Sequence, residues 1–448
     1  MTASKRTLIL VELPWGRDKD PRVPLGHASL LTSLKRVGKG DVISIVAQIN
    51  DDKTTPENLN NQIMRISEGA DDVDLAIGAY IWAEEVIIRL LPMLRASGFT
   101  GRIILGGPQI SYTPSGLEEL YPEADVFVRG YGEVAIVALF NEPNEKVIEG
   151  VHFAGQEDRG EQTSVDLSIL PSPWLSGEID LEGQKFIRWE TQRGCAFRCS
   201  FCQHKEAGKR LVRRELDESR IMGEIDLFCR SGVRDIAVLD PIFNMSQFSN
   251  RILQRFVDNG YSGRLSLQCR AEKCDEDFFR LASQLDVILE FGLQTIHKDE
   301  GRAVERINNM KFVNKSLDRA NRLGIPYEVT IIYGLPNQTI ESFKETVDWC
   351  LKKGVPVIKA FPLMLLRGTH IEQHRDDWGL IESEGSMPVV RESYTFTHRD
   401  WRKMDRLSNA LKETEGEHPD SIEELSIVAR RMESNMARFQ PYPEIHNI

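Results

Sequence analysis

The chain has 448 residues, 41% hydrophobic and 28% charged, a balance that suits a soluble chain long enough for two or three cores. Its net charge is −12, from 56 basic and 68 acidic residues, which argues against a general nucleic-acid binder, since those carry a basic surplus. No apolar run approaches a membrane span and no secretory signal opens the chain, so clustered free cysteines point to a reducing cytoplasm.

Residues 7–13 form a nearly continuous apolar run, the pattern of a strand buried on both faces. Helical spacing follows over 25–35, then strand patterns at 41–46, 73–78, 101–108 and 125–130, with helices near 56–68 and 83–96. This alternation predicts a doubly wound, Rossmann-like parallel sheet. Ligands of such sheets bind beyond the carboxyl ends of the strands, where Gly78, Gly106, Gly107, Gly130 and Gly132 fall. Glycine lets backbone approach a flat ligand closely. Any strand-to-helix turn can use one, so each alone is a weak signal. Residues 141–187 are turn-rich and polar and read as a linker.

A strand pattern at 186–191 then delivers Cys195, Cys199 and Cys202, three of seven cysteines spaced C-x3-C-x2-C. Three thiolates close neither a four-cysteine zinc site nor a set of disulfides. They can hold three irons of a [4Fe–4S] cube and leave the fourth open, unlike the usual four-cysteine cluster. The alternatives are buried free thiols or a zinc site that borrows His204. Cys229, Cys269, Cys274 and Cys350 are dispersed and read as core or near-surface thiols. A basic cluster follows the motif at Lys205, Lys209, Arg210, Arg213 and Arg214, with solvated surface as the plain reading.

Strand patterns recur at 235–239, 264–269, 287–292, 327–332 and 357–361, with helices between, as in a partial (β/α)6 barrel. Polar residues gather at the strand ends: Asp240, Gln268, Arg270, Glu290, Gln294 and Thr330. For each of them, capping a helix or pairing with a neighbour is the structural alternative. Residues 400–411 and 421–432 have helical spacing and lie in a charged, cysteine-free C-terminal segment.

The run Cys195, Cys199, Phe201, Cys202 at the end of a first strand resembles the radical SAM superfamily. Residues 1 to about 140 are similar to a cobalamin-binding domain, on the turns Gly106-Gly107-Pro108-Gln109 and Arg129-Gly130-Tyr131-Gly132-Glu133. The resemblance implies a cobalamin-binding domain at 1–140, a linker at 141–187, a radical SAM barrel at 188–370 and a helical segment at 371–448. It implies cysteine ligation of a [4Fe–4S] cluster, with Phe201 near the adenine of S-adenosyl-L-methionine (SAM). Arg306 would pair with the SAM carboxylate, in competition with Arg302. Atoms near Ile332 would hold adenine, while Thr330 departs from the aspartate that many relatives carry. Tyr80 or Trp82 would pack on the corrin.

The loop at 14–20 carries no histidine, and His27 lies within a helical pattern. The resemblance therefore implies a cobalamin without a protein histidine on cobalt. The expected activity is reductive cleavage of SAM to a 5′-deoxyadenosyl radical, hydrogen abstraction from a small-molecule or peptide substrate, and methyl transfer from methylcobalamin. Flavodoxin or ferredoxin would supply the electron, and neither nucleic acid nor membrane is an expected partner. The alternatives are a non-methylating reaction with the same cofactors and a non-catalytic iron–sulfur protein.

Overall fold

The computed structural model of the chain describes residues 6–68, 72–204, 213–385 and 387–436. Two six-stranded sheets organise it. The first comprises β1 (Thr7–Glu12), β2 (Asp41–Val46), β3 (Val73–Gly78), β4 (Ile103–Gly106), β5 (Val126–Val128) and β6 (Val151–Phe153), in the order β2-β1-β3-β4-β5-β6. The first five strands are parallel, and every residue of β1 is buried. The side-chain period of two explains this. Ile9, Val11, Leu75 and Ile77 enter a core on one face, while Leu8, Leu10, Ala76 and Ile104 enter a core on the other. Each fully buried aliphatic side chain contributes about 1.5–3 kcal/mol.

The stretch expected as a linker is more structured than its turn-rich composition predicts. Its β6 pairs antiparallel with β5 and closes the first sheet. Farther on, Leu167, Leu170, Trp174 and Ile179 are buried in the core of the second half. The apolar residues that do this are isolated among polar ones, so no periodic pattern announced them.

The second sheet uses β7 (Phe186–Trp189), β10 (Asp235–Val238), β11 (Arg264–Cys269), β12 (Asp286–Gln294), β13 (Tyr327–Tyr333) and β14 (Val357–Pro362), all parallel, in the order β14-β13-β12-β11-β10-β7. A short antiparallel ribbon, β8 (Gln192–Arg193) with β9 (Arg214–Glu215), flanks it. Helix Glu218–Ser231 begins just past the ribbon residue Glu215, and Asp217 caps it by accepting from the Arg220 amide. Of the basic cluster, Lys205, Lys209 and Arg210 lie outside the described residues. Arg213 and Arg214 donate to the carbonyls of Met245 and Val165 and so are engaged within the protein.

The C-terminal helices are His398–Glu413 and Ile422–Met436. Thr397 and Asp400 form a capping box at the start of the first. Its Ser408 hydroxyl donates to the Ala360 carbonyl of β14, and Asp405 accepts from the buried Tyr333 hydroxyl at 2.8 Å. The outer strand β14 is also satisfied by a side chain: the Ile358 amide donates to His418 Nε2 at 3.0 Å, and His418 Nδ1 lies 2.9 Å from the Thr414 hydroxyl.

A ring nitrogen that accepts a hydrogen bond must be unprotonated, and burial holds the His418 pKa below its ordinary value. The unfolded state therefore binds the proton more readily, and this contribution to stability is lost as pH falls below the unfolded value. We expect the melting temperature of wild type to drop more between neutral pH and about pH 5 than that of His418→Gln, whose amide oxygen also accepts from Ile358. Differential scanning calorimetry at both pH values checks this, and parallel slopes would contradict it.

Candidate active site between the two sheets

The first sheet reverses its winding between β1 and β3, and a crevice opens at that switch point beyond the strand ends. The crevice is a cavity of about 740 Å³, large for a small-ligand site. Its deep part runs between the sheet face (Leu10, Ala76, Ile104, Val128) and Leu30 and Ile136 of the covering helices. Its rim carries Gly78, Gly106, Gly107, Pro108, Gly130 and Gly132, and the opposite wall carries Arg193, Gly194, Phe201 and Cys202. The expected glycine turns and the cysteine loop thus face one space.

The glycines differ in why they are glycine. Gly107 has φ +92°, and a Cβ there would lie 2.8 Å from the Ala79 carbonyl oxygen. The chain itself requires it, whatever ligand binds. At Gly106 a Cβ would meet nothing closer than the Val128 carbonyl oxygen at 3.7 Å.

Glu133 does not present a free carboxylate to the cavity. It accepts from Ser29 at 2.8 Å and pairs with Arg193 at 2.8 Å, and Arg193 also pairs with Glu190 at 2.7 Å. Burial raises the Glu133 pKa, but Arg193 outweighs it and the net shift is downward. The Arg193 guanidinium lies 5.3 Å from the Tyr131 ring centroid. Tyr80 lines the cavity and stacks on Trp82, with centroids 4.8 Å apart; the Trp82 indole donates to the Leu13 carbonyl.

Two expected site residues turn away from this space. Gln109 is buried, donates to Glu84 at 2.5 Å and accepts from Arg367 through its carbonyl, so it belongs to a clasp between the two halves in which Arg367 pairs with Glu84 at 2.7 Å. Asp240 is fully buried. It accepts from the Thr191 amide at 2.7 Å, from the Gln192 amide at 3.2 Å and from the Thr191 hydroxyl. It anchors the strand end that leads to the cysteines, and burial pushes its carboxyl up to about 7. Sequence could not separate these roles, since a polar residue at a strand end serves either.

The cysteine loop is held at several points. The Ser200 amide donates to the Val304 carbonyl, the Ile371 amide to the Ser200 carbonyl, and the Gln203 side chain to the Arg367 carbonyl. Tyr112 reaches across from the first half and donates to the Gln203 carbonyl. All three cysteines are free thiols. Burial raises the Cys195 thiol pKa, while Arg306 and Arg270 act in the opposite direction. Among the described residues no three of His, Cys, Asp and Glu, the three cysteines included, are grouped for a single metal ion.

Arg270 and Arg306 are both buried; Arg302 is exposed. Arg270 lies 4.0 Å over the Phe197 ring and pairs with Glu272 at 3.3 Å. Burial and the neighbouring Arg306 lower its pKa. Arg306 donates to the Gly292 carbonyl, but its Nε has no partner. Two neighbouring cations with an unmet donor suit an anionic group. This donor set fits a thiolate-bound cluster beside a carboxylate.

Gln268, Glu290, Thr330 and Ile332 are half-buried on strand faces whose alternate residues are fully buried, and they share rows: Gln268 pairs with Glu290, and Gly292 with Thr330. They face the barrel interior. Burial and Glu328 raise the Glu290 pKa. Gln294 sits at the irregularity of β12 with φ +68°, and its Oε1 has no partner. None of these residues, nor Arg270 or Arg306, lines the inter-sheet cavity.

Sequence reading passed over Arg193, Glu190 and Glu12. Glu12 offered a signal, as a charged residue closing a strand that is buried along its whole length.

A Rossmann-like sheet joined to a six-stranded parallel barrel with a three-cysteine loop defines a two-domain radical SAM architecture. The Radical SAM superfamily matches residues 189–350. The cobalamin-dependent radical SAM methyltransferase TokK of Streptomyces tokunonensis is 25% identical over 65% of this chain and 47% of its own length. The 2-(S-pantetheinyl)-carbapenam-3-carboxylate methyltransferase of Streptantibioticus cattleyicolor is 24% identical over 67% of this chain and 48% of its own. The chain therefore spans about half the length of these relatives. In fold it is similar to the methyltransferase TsrM of Kitasatospora setae with cobalamin and a [4Fe–4S] cluster bound (TM-score 0.67, 16% identity, covering 89% of this chain and 81% of that one). It is also similar to the cobalamin-dependent radical enzyme OxsB (TM-score 0.68, 14% identity, 96% and 71%). Residues 189–350 thus match the Radical SAM superfamily, and the chain is similar to cobalamin-dependent radical SAM methyltransferases. Among the described residues no helix is long and apolar enough to cross a membrane.

The glycine geometry predicts a split outcome. Gly107→Ala should destabilise the fold by about 1–3 kcal/mol through its positive φ, whereas Gly106→Ala should leave stability within about 1 kcal/mol, the cost of exchanging a strand glycine. Chemical denaturation of both variants measures the difference.

Proposed function

We propose that this chain is a cobalamin-dependent radical SAM methyltransferase acting on a small molecule. The observation that carries this reading is the single cavity shared by the glycine turns of the first sheet and by Phe201 and Cys202 of the cysteine loop. Cys195, Cys199 and Cys202, as thiolates, would hold a [4Fe–4S] cluster that binds SAM. When bound, these groups supply an electron that cleaves SAM to a 5′-deoxyadenosyl radical and, from methylcobalamin, the methyl group.

The protein binds and orients. Arg306 uses its free Nε on the SAM carboxylate, and Arg270 balances the charge of the thiolates. Phe201 and Ile332 contact adenine. Gln268, Glu290, Gln294 and Thr330 are the polar contacts available inside the barrel. The glycine turns, with Pro108 and Tyr80, bear the corrin. The Arg193–Glu133 pair lines the cavity and ties the two halves together there. Of the two histidines that line the cavity, His27 is buried, spends its Nε2 on the Ser44 hydroxyl at 2.7 Å and leaves its Nδ1 without a partner, while His204 follows the cysteine loop. A reduced flavodoxin or ferredoxin serves as electron source, and the free thiols suit the cytoplasm.

Anaerobic reconstitution should load about four irons per chain. Joint replacement of Cys195, Cys199 and Cys202 by Ala should abolish the cluster spectrum, while replacing Cys229, Cys274 or Cys350 should leave iron content unchanged. With reductant and SAM labelled in its methyl group, label should appear on cobalamin without any added substrate. Unlabelled cobalamin in fully loaded protein would count against the methyltransferase reading.

Arg306→Ala should weaken SAM binding by about 1.5–3 kcal/mol, the worth of a charge-assisted hydrogen bond. The exposed Arg302→Ala should change it little. Isothermal titration of the reconstituted protein compares them, and equal losses would remove Arg306 from the SAM site.

A further inference from the structure

Glu12 is a buried acid for which the reaction above has no use. It ends β1, is 6% exposed and lines the inter-sheet cavity. No hydrogen bond or ion pair reaches its carboxyl among the described residues, whereas buried Glu133 and Asp240 are both fully engaged. It stands at the switch point between β1 and β3, where Gly78 makes room for it. A Cβ at Gly78 would lie 2.8 Å from Glu12 Oε2 and 3.3 Å from the Tyr80 ring.

The titratable neighbours supply no counter-charge. Tyr80 faces Glu12 from the turn after β3, and its phenol pKa is itself raised, first by Glu12 and then by burial. His27 lines the cavity from helix Leu25–Val37 and is held down to about 4 by burial. Glu133, on the helix after β5, and Arg193, on the cysteine loop, are committed to each other. Burial alone pushes the Glu12 carboxyl up to about 8. Near neutral pH it carries its proton, and a neutral carboxyl both donates and accepts, while a carboxylate only accepts.

The rim of a corrin ring bears uncharged carboxamides, which also donate and accept. Resting on the cobalamin reading above, we propose that Glu12, with its proton on, pairs with a peripheral carboxamide of the corrin and that binding requires this neutral form. The ionised side chain would leave the amide N–H as its only partner and place an unpaired charge in a buried recess.

The test is dissociation of methylcobalamin from the full-length protein, followed in the dark by equilibrium dialysis between about pH 7 and pH 9.5. If only the neutral form binds, apparent affinity scales with its fraction, and wild type should weaken roughly thirtyfold across this window. Glu12→Gln should bind tightly at both pH values, because its amide also donates and accepts. Glu12→Met should bind weakly at both. Circular dichroism checks that each variant is folded, and if Glu12→Gln is not, the flat profile of Glu12→Met decides. A flat wild-type profile, or a wild-type slope retained in either variant, overturns the proposal and leaves the cobalamin reading standing. Wild type that binds no methylcobalamin at any pH removes that reading and this proposal together.

Discussion

Arg193 sets one largely enclosed positive charge between Glu190, three residues before it, and Glu133 on the helix after β5. Burial opposes the charge, and the two carboxylates more than offset it, so its pKa stands well above the ordinary value. A buried ion left without its partner costs about 3–5 kcal/mol. The two halves are thereby held in one arrangement, and Cys195 follows two residues after the guanidinium. The cavity exists because both sheets direct their carboxyl ends toward this pair. Glu84 with Arg367, and Tyr112 with the Gln203 carbonyl, brace the same joint from the other side.

The cysteine loop shows how a reactive segment is positioned by groups that never touch a ligand. Asp240 satisfies the backbone where β7 ends, so the chain leaves the sheet in a defined direction. Trp189 of β7 is fully buried and donates to Glu224 at 2.6 Å, which also accepts from Arg220 and Ser172. Such networks hold their members more firmly than separate pairs do. The loop is therefore fixed at both flanks, and its thiols lie near two buried arginines.

A division of labour follows between the two spaces. The barrel interior is lined by half-buried polar residues on alternate positions of β11, β12 and β13. The inter-sheet cavity is mostly apolar in its deep part, with glycine turns at its rim. Phe201 and Cys202 line the inter-sheet cavity from the cysteine loop.

The amino-acid sequence alone determined the parallel strands of both sheets and their alternation with helices, though not the antiparallel β6, because continuous apolar runs and strand-to-helix periods are local signals. It also carries the cysteine spacing, whereas the choice of Arg306 over Arg302 comes from the family resemblance and not from periodicity, since Arg302 lies in helix Lys298–Ala303 and Arg306 beyond its end. Only the tertiary structure decided what the polar strand ends do. Asp240 and Gln109 have the residue types of a ligand site, yet they are consumed by backbone and by a neighbouring glutamate. Glu133 is taken by Arg193 from sixty residues away in the chain. Glu12 is left unpaired by the same folding. Whether a carboxylate meets a cation or a void depends on residues distant in sequence, and no local pattern encodes that distance.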